Sequence, residues 1–246
     1  MIIYYRISDG SYKKDRSPNA TKECCLSNFL TTWKFGSTNT EDTFVLIQDN
    51  LSAETQHMCD RLLNGIRHTP IITDETRVGG SGSATFRIAA ILSQELPDDT
   101  IVYFLEDDYL HVTGARDVLL EGIKHADYVT LYLHPDKFIP ASQGGNPEVD
   151  DAGSTLTRIF KTEKAFWMMC NSTTMTFATT VGVMKKDYKI WEKWTESPYP
   201  QDFNAFLELR EKNRTLIQPI PTWATHGETS WQAPLIGTGI TSWNDV

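Results

Sequence analysis

The sequence predicts an α/β domain: a mainly parallel central sheet flanked by helices, with a smaller antiparallel element in its second half. Three observations carry this. Strand-like apolar runs alternate with helix-like periodic segments through the first half of the chain, the pattern of β-α units. One run, Ile101–Leu105, is apolar without a break, as a strand buried on both faces must be. That run leads straight into Glu106, Asp107 and Asp108, at the end of a strand where open α/β sheets bind ligands.

The elements follow in order. Ile2–Ile7 is a strand. Ala20–Phe35 carries Leu26, Phe29, Leu30 and Trp33 at helical spacing. Thr43–Ile47 is the second strand, and Ser52 is placed to cap a helix through about Ile66. Pro70–Thr73 is a short third strand. A Gly/Ser loop, Gly79 to Ser83, precedes a helix through about Glu95. After the apolar strand, Thr113 is expected to cap a helix bearing Val118, Leu119 and Ile123, and Tyr128–Leu133 is the fifth strand. Pro135–Asp151, rich in Pro, Gly and Asp, predicts a loop. Thr155–Thr162, Ala165–Met169 and Thr173–Thr180 predict strands, some antiparallel, and Lys185–Trp194 and Asp202–Lys212 predict helices. No repeat or low-complexity linker divides the 246 residues, so one domain is expected, with halves 1–134 and 135–246.

Composition narrows the function. A formal charge of −9 argues against broad electrostatic binding of nucleic acid or anionic membranes. No apolar run reaches the length of a membrane-spanning helix, and the N-terminus lacks signal-peptide features, so the expected location is cytoplasmic. The four cysteines form no C-x-x-C pair; Cys24 and Cys25 are expected to fill core on a helix.

Packing Glu106, Asp107 and Asp108 together is unfavourable unless a cation neutralises them. Oxygen ligands suit Mn²⁺ or Mg²⁺, and Mg²⁺ usually shares its coordination with substrate phosphates. The motif therefore points to a metal-bound phosphate compound.

The order of elements, with four short segments, resembles the GT-A glycosyltransferases, closest to the inverting family-2 type. The segments are FVLIQDNLS (44–52), VGGSGSATFRIAA (78–90), the acidic motif, and YPQDFNAFLEL (199–209). The resemblance implies a GT-A fold with a nucleotide-sugar half and an acceptor half. It implies transfer of a sugar from a nucleotide-diphosphate donor, a UDP-sugar by preference, to a glycan or other acceptor hydroxyl. Asp49 would bind the nucleobase, and Gly80 and Arg87 would lie near the nucleotide, with Arg77 a further candidate. Asp108 would ligate Mn²⁺ or Mg²⁺. Glu106 would contact the ribose or act through water at the metal, and Asp107 would complete the cluster in a mainly structural role. His226 would be a further metal ligand or phosphate contact, and Asp202 the general base. Trp223, Trp231 and His134 are candidates for the acceptor side, and His111 for touching the donor. In each case an ordinary turn, cap or surface residue is the competing reading. Two rival functions share these features: a sugar-phosphate nucleotidyltransferase, and a non-catalytic carbohydrate- or nucleotide-binding protein.

Overall fold

The computed structural model describes residues 1–10, 15–35, 41–73, 81–243 and 246. Among them a nine-stranded sheet forms the centre. Its first four strands are β1 (Ile2–Ser8), β2 (Thr43–Asp49), β3 (His68–Thr73) and β4 (Ile101–Glu106). They lie in the order β3-β2-β1-β4 and are all parallel, so Thr73, Asp49, Ser8 and Glu106 end along one edge. The sheet continues through β9 (Phe177–Thr180), β6 (Tyr128–Val129), β10 (Leu216–Ile220), β8 (Phe166–Met169) and β7 (Ile159–Lys161). Here β9 runs antiparallel to both its neighbours, and β7, β8 and β10 pair antiparallel. The sheet is thus mainly parallel where the first half supplies it and mixed beyond.

Alternation along the strands splits the core in two. Ile3, Tyr5, Ile7, Tyr103 and Leu105 face one side, packed with Leu26 and Phe29 of α1 (Lys22–Thr32), Trp33 at its C-terminal cap and Leu119 of α4 (Ala115–Gly122). Tyr4, Val45, Ile47, Val102 and Phe104 face the other. They meet Phe86 of α3 (Gly82–Ser93), Trp191 of α5 (Val181–Trp194) and Phe206 of α6 (Asp202–Glu211). A further helix, α2 (Ala53–Leu62), packs beside α1. Ser52 caps α2 as expected, accepting the Thr55 amide, and Ser81 caps α3 in the same way, accepting that of Ala84.

Several expectations are corrected. Gly114, not Thr113, caps α4; its φ of 94° is open to glycine without strain. β6 ends at Val129, because the Leu131 carbonyl turns away to accept the amides of Trp223 and Ala224. The strand expected over Thr155–Thr162 is confined to Ile159–Lys161. The 135–151 segment contains two short 3₁₀ turns, Pro135–Phe138 and Ala141–Gln143. Cys25 is buried, whereas Cys24 is exposed at the first turn of α1. The smaller antiparallel element is present as a second sheet, though its strands were not anticipated: β5 (Tyr109–His111) pairs antiparallel with β11 (Ala224–His226). Among the described residues no helix is long and apolar enough to cross a membrane.

Candidate active site

The acidic motif spans the junction of two sheets. Glu106 is the last residue of β4, Asp107 and Asp108 form the turn, and Tyr109 opens β5. Because Tyr109 pairs with His226, the second sheet carries the 226–228 segment up against the motif. The Gly227 amide donates to the Asp108 carbonyl (2.6 Å). A Cβ at Gly227 would stand 2.6 Å from the Ala20 Cβ and 3.0 Å from that carbonyl, so only glycine fits this approach. Residues 15–17 are stitched alongside: the Ser17 amide donates to the Gly227 carbonyl and the Thr229 amide to that of Asp15, both at 2.9 Å.

Each carboxylate of the motif faces a basic side chain. Glu106 Oε1 lies 3.7 Å from Arg6 Nη2, Asp107 Oδ2 lies 3.1 Å from Lys22 Nζ, and Asp108 Oδ2 lies 3.3 Å from Arg16 Nη2. Arg6 is buried on β1; it also donates to the carbonyls of Gly82 (3.1 Å) and Met175 (2.9 Å) and lies over the Phe86 ring. Asp107 accepts the Ser8 amide as well (3.2 Å), tying the ends of β1 and β4 together. Burial raises its carboxyl above the ordinary range, against the pull of Lys22.

Asp202 is the first residue of α6, and it lines the same cleft as the motif. Gln201 occupies the cap position, and Asp202 Oδ1 accepts the adjacent Phe203 amide (2.7 Å), which is not an N-cap pattern. Burial, reinforced by the charge of Glu106, pushes its carboxyl up to about 7. A carboxylate titrating there can exchange a proton near neutrality.

These groups line one cleft of about 380 Å³, together with Arg6, Arg16, Ser8, Gly82, Thr85, His134, Tyr199, Glu228 and Trp231. That is within the range of small-ligand sites. A second cavity of about 410 Å³, bounded by Lys137, Arg158, Met168 and Arg210, is lined by none of these acids.

No protein-family model matches the sequence, and no curated protein matches it either. Solved structures do match in fold. GalNAc-T7 with UDP, GalNAc and Mn²⁺ superposes with a TM-score of 0.56 at 12% identity, over 98% of this chain and 46% of that one. A putative glucose-1-phosphate thymidylyltransferase from Bacillus anthracis, in complex with a sucrose, gives a TM-score of 0.52 at 12% identity, over 93% and 91% of the two chains. The galactosyltransferase LgtC with donor and acceptor sugar analogues is matched over 85% of this chain and 69% of that one, at 11% identity and a TM-score of 0.46. The chain has the GT-A fold. It spans about half the length of the GalNAc-T7 structure.

Within that fold the anticipated residues divide. Glu106, Asp107, Asp108, Asp202, His226, His134 and Trp231 meet at the cleft. Asp49 ends β2 one strand beyond β1, fully buried, with its carboxylate accepting the hydroxyls of Thr73 (2.9 Å) and Ser8 (3.4 Å). Arg87 lies on α3 outside the cleft lining, and Trp223 packs behind Gly114, also outside it. Gly80 and Arg77 lie outside the described residues. His111 does not reach the cleft: it is buried among Phe29, Trp33 and Tyr103, with Nε2 2.8 Å from the Tyr103 hydroxyl. Burial lowers its pKa to about 3, so it stays neutral. Arg6, Arg16 and Lys22 were not anticipated; a single basic residue on a strand or before a helix carries no motif.

The acidic motif implies a divalent cation, and the donor set as arranged does not fit one. Asp108 Oδ2 is shared between Arg16 and His226, whose Nε2 is 3.4 Å away. His226 Nδ1 accepts the Glu228 amide (3.0 Å), which assigns the imidazole proton to Nε2, facing Asp108. A ligating histidine does the reverse, offering one nitrogen to the metal and donating from the other. Among the described residues no group of three or more His, Cys, Asp or Glu side chains is arranged to hold a metal ion.

Proposed function

We propose that the protein is a glycosyltransferase that moves a sugar from a nucleotide-diphosphate donor to an acceptor hydroxyl, with inversion at the anomeric carbon. The observation that carries this reading is one cleft of a GT-A fold in which Asp202, with its pKa near 7, lies with the strand-end acidic motif. In the step proposed, Asp202 takes the proton of the acceptor hydroxyl as its oxygen bonds to the anomeric carbon. The bond from that carbon to the β-phosphate oxygen breaks, and its electron pair leaves with the nucleoside diphosphate. Trp231 and His134, whose rings stand 5.2 Å apart at the cleft, offer an apolar face and a polar edge to the acceptor sugar. A UDP-sugar is the first donor to try.

A thermal-shift screen of nucleotide sugars, each with and without Mn²⁺, tests the donor class, because a ligand of the folded state raises its apparent stability. Asp202→Asn is expected to keep donor binding and lose transfer. A product that keeps the donor's anomeric configuration refutes the base role of Asp202. Nucleotidyl transfer to a sugar phosphate is compatible with the same fold; release of pyrophosphate from a nucleoside triphosphate would favour it instead.

A further inference from the structure

The three carboxylates of the acidic motif were expected to need an outside cation, and the chain supplies its own. Asp108 has the deepest side chain of the three, 4% exposed, and a carboxylate buried to that degree is costly unless paired. Its partner Arg16 is held from the backbone. Residues 15–17 hydrogen-bond to 227–229, and the backbone of Arg16 forms an antiparallel β-bridge with that of Glu228. The guanidinium therefore reaches Asp108 from a fixed origin rather than from a free loop. Its side chain is 20% exposed and lines the cleft.

Arg6 and Arg16 are the Lys or Arg side chains lining the cleft among the described residues. Arg6 is spent on two carbonyls and Glu106. Glu106, Asp107, Asp108, Asp202 and Glu228 line the same space, so an anionic ligand is tolerated only where a cation meets it. A guanidinium has five N–H donors in a planar fork, enough to keep one on a carboxylate and present others to phosphate oxygens.

We propose that Arg16 is the resident cation of the acidic motif. In the free protein it neutralises Asp108 and keeps a bare divalent ion off that carboxylate. When the donor enters, it supplies N–H donors to the diphosphate, while Asp108 holds it in position. The diphosphate half rests on the glycosyltransferase reading; the exclusion of a bare ion rests on the pairing alone.

Two measurements test it. Mn²⁺ alone is titrated into wild type, Arg16→Gln and Arg16→Lys, with free Mn²⁺ followed by its paramagnetic resonance signal. Wild type and Arg16→Lys are expected to leave the ion free. Arg16→Gln is expected to take it up, and to lose that uptake when Asp108→Asn is added. Equal uptake by wild type and Arg16→Gln, whether full or absent, overturns the exclusion. UDP and GDP are then titrated calorimetrically in excess EDTA. Arg16→Gln is expected to weaken binding by roughly tenfold or more, and Arg16→Lys by less, as for loss of a charge-assisted phosphate contact. Unchanged affinity in Arg16→Gln overturns the diphosphate role. Should wild type bind neither nucleotide, with or without Mn²⁺, the glycosyltransferase reading falls, and the Mn²⁺ titration still decides the pairing. Melting temperatures of the variants confirm that each comparison is between folded proteins.

Discussion

Asp202→Asn should separate catalysis from stability. An ordinary carboxylate titrates near 4, and burial holds this one at about 7. The difference corresponds to about 4 kcal/mol by which the fold disfavours the ionised form. The sign follows from linkage. Where the folded state binds the proton more tightly than the unfolded chain, stability falls as pH rises between the two pKa values. The loss therefore begins near pH 4, is complete just above pH 7, and disappears when the carboxyl becomes an amide that cannot ionise. The amide oxygen can still accept the Phe203 amide, so little else is lost. Asp202 is only half-buried and opens on the cleft, so about 2 kcal/mol is the expected gain for the variant near pH 8. Urea melts of both proteins at about pH 5 and pH 8 read this directly. Transfer by wild type should rise roughly tenfold per pH unit below the pKa and level off above it, while the variant stays inactive. A variant less stable than wild type near pH 8 would refute the assignment of a raised pKa. So would a wild-type rate that is flat from pH 5 to 8, in the catalytic half of the argument.

Gly227→Ala should cost about 1–3 kcal/mol in urea melts, since its Cβ would press on Ala20 and on the Asp108 carbonyl. It should also lower transfer by displacing Asp108. Arg6→Met removes the cation beside Glu106 and the donor to the carbonyls of Gly82 and Met175; a loss of about 3–5 kcal/mol is expected by the same assay. Trp231→Ala should raise the acceptor KM by roughly fivefold, the worth of about 1 kcal/mol of ring contact, with donor affinity unchanged by calorimetry.

How much was legible depended on whether the signal was local. The apolar run Ile101–Leu105 announced its strand because burial on both faces leaves no polar position in it, and four of its residues belong to the two cores. Ser52 announced its helix through a bond to an amide three residues on, a cue that Ser81 also carried and that went unread. The strands that went unread are the ones whose partners are remote. Ala224–His226 is short, mixed in polarity and followed directly by Gly227, so periodicity gave it no strand character. It is a strand only because Tyr109–His111, more than a hundred positions earlier, lies beside it. Gly114 was passed over as a cap for a similar reason: a left-handed backbone is a property of the turn, and Thr113 carried the stronger side-chain cue.

The acidic motif shows the same limit in its chemistry. The physics that demanded a counter-charge for Glu106, Asp107 and Asp108 was sound, but the sequence could not say which cation met it. Arg6 sits on β1, Arg16 in the segment after it and Lys22 at the start of α1; the parallel pairing of β1 with β4 brings Arg6 to Glu106, the bonds of residues 15–17 to 227–229 bring Arg16 to Asp108, and the packing of α1 brings Lys22 to Asp107. A strand-end acid cluster is therefore evidence for a cation and not, alone, for a metal ion. Asp202 illustrates the converse. Its place at a helix start suggested a cap, yet Gln201 holds the cap position and the carboxylate is left at the cleft with a pKa near neutrality. A carboxylate that burial makes costly, and that no cap requires, is what a proton-transfer role asks for, and the Asp202→Asn variant separates that role from a purely structural one.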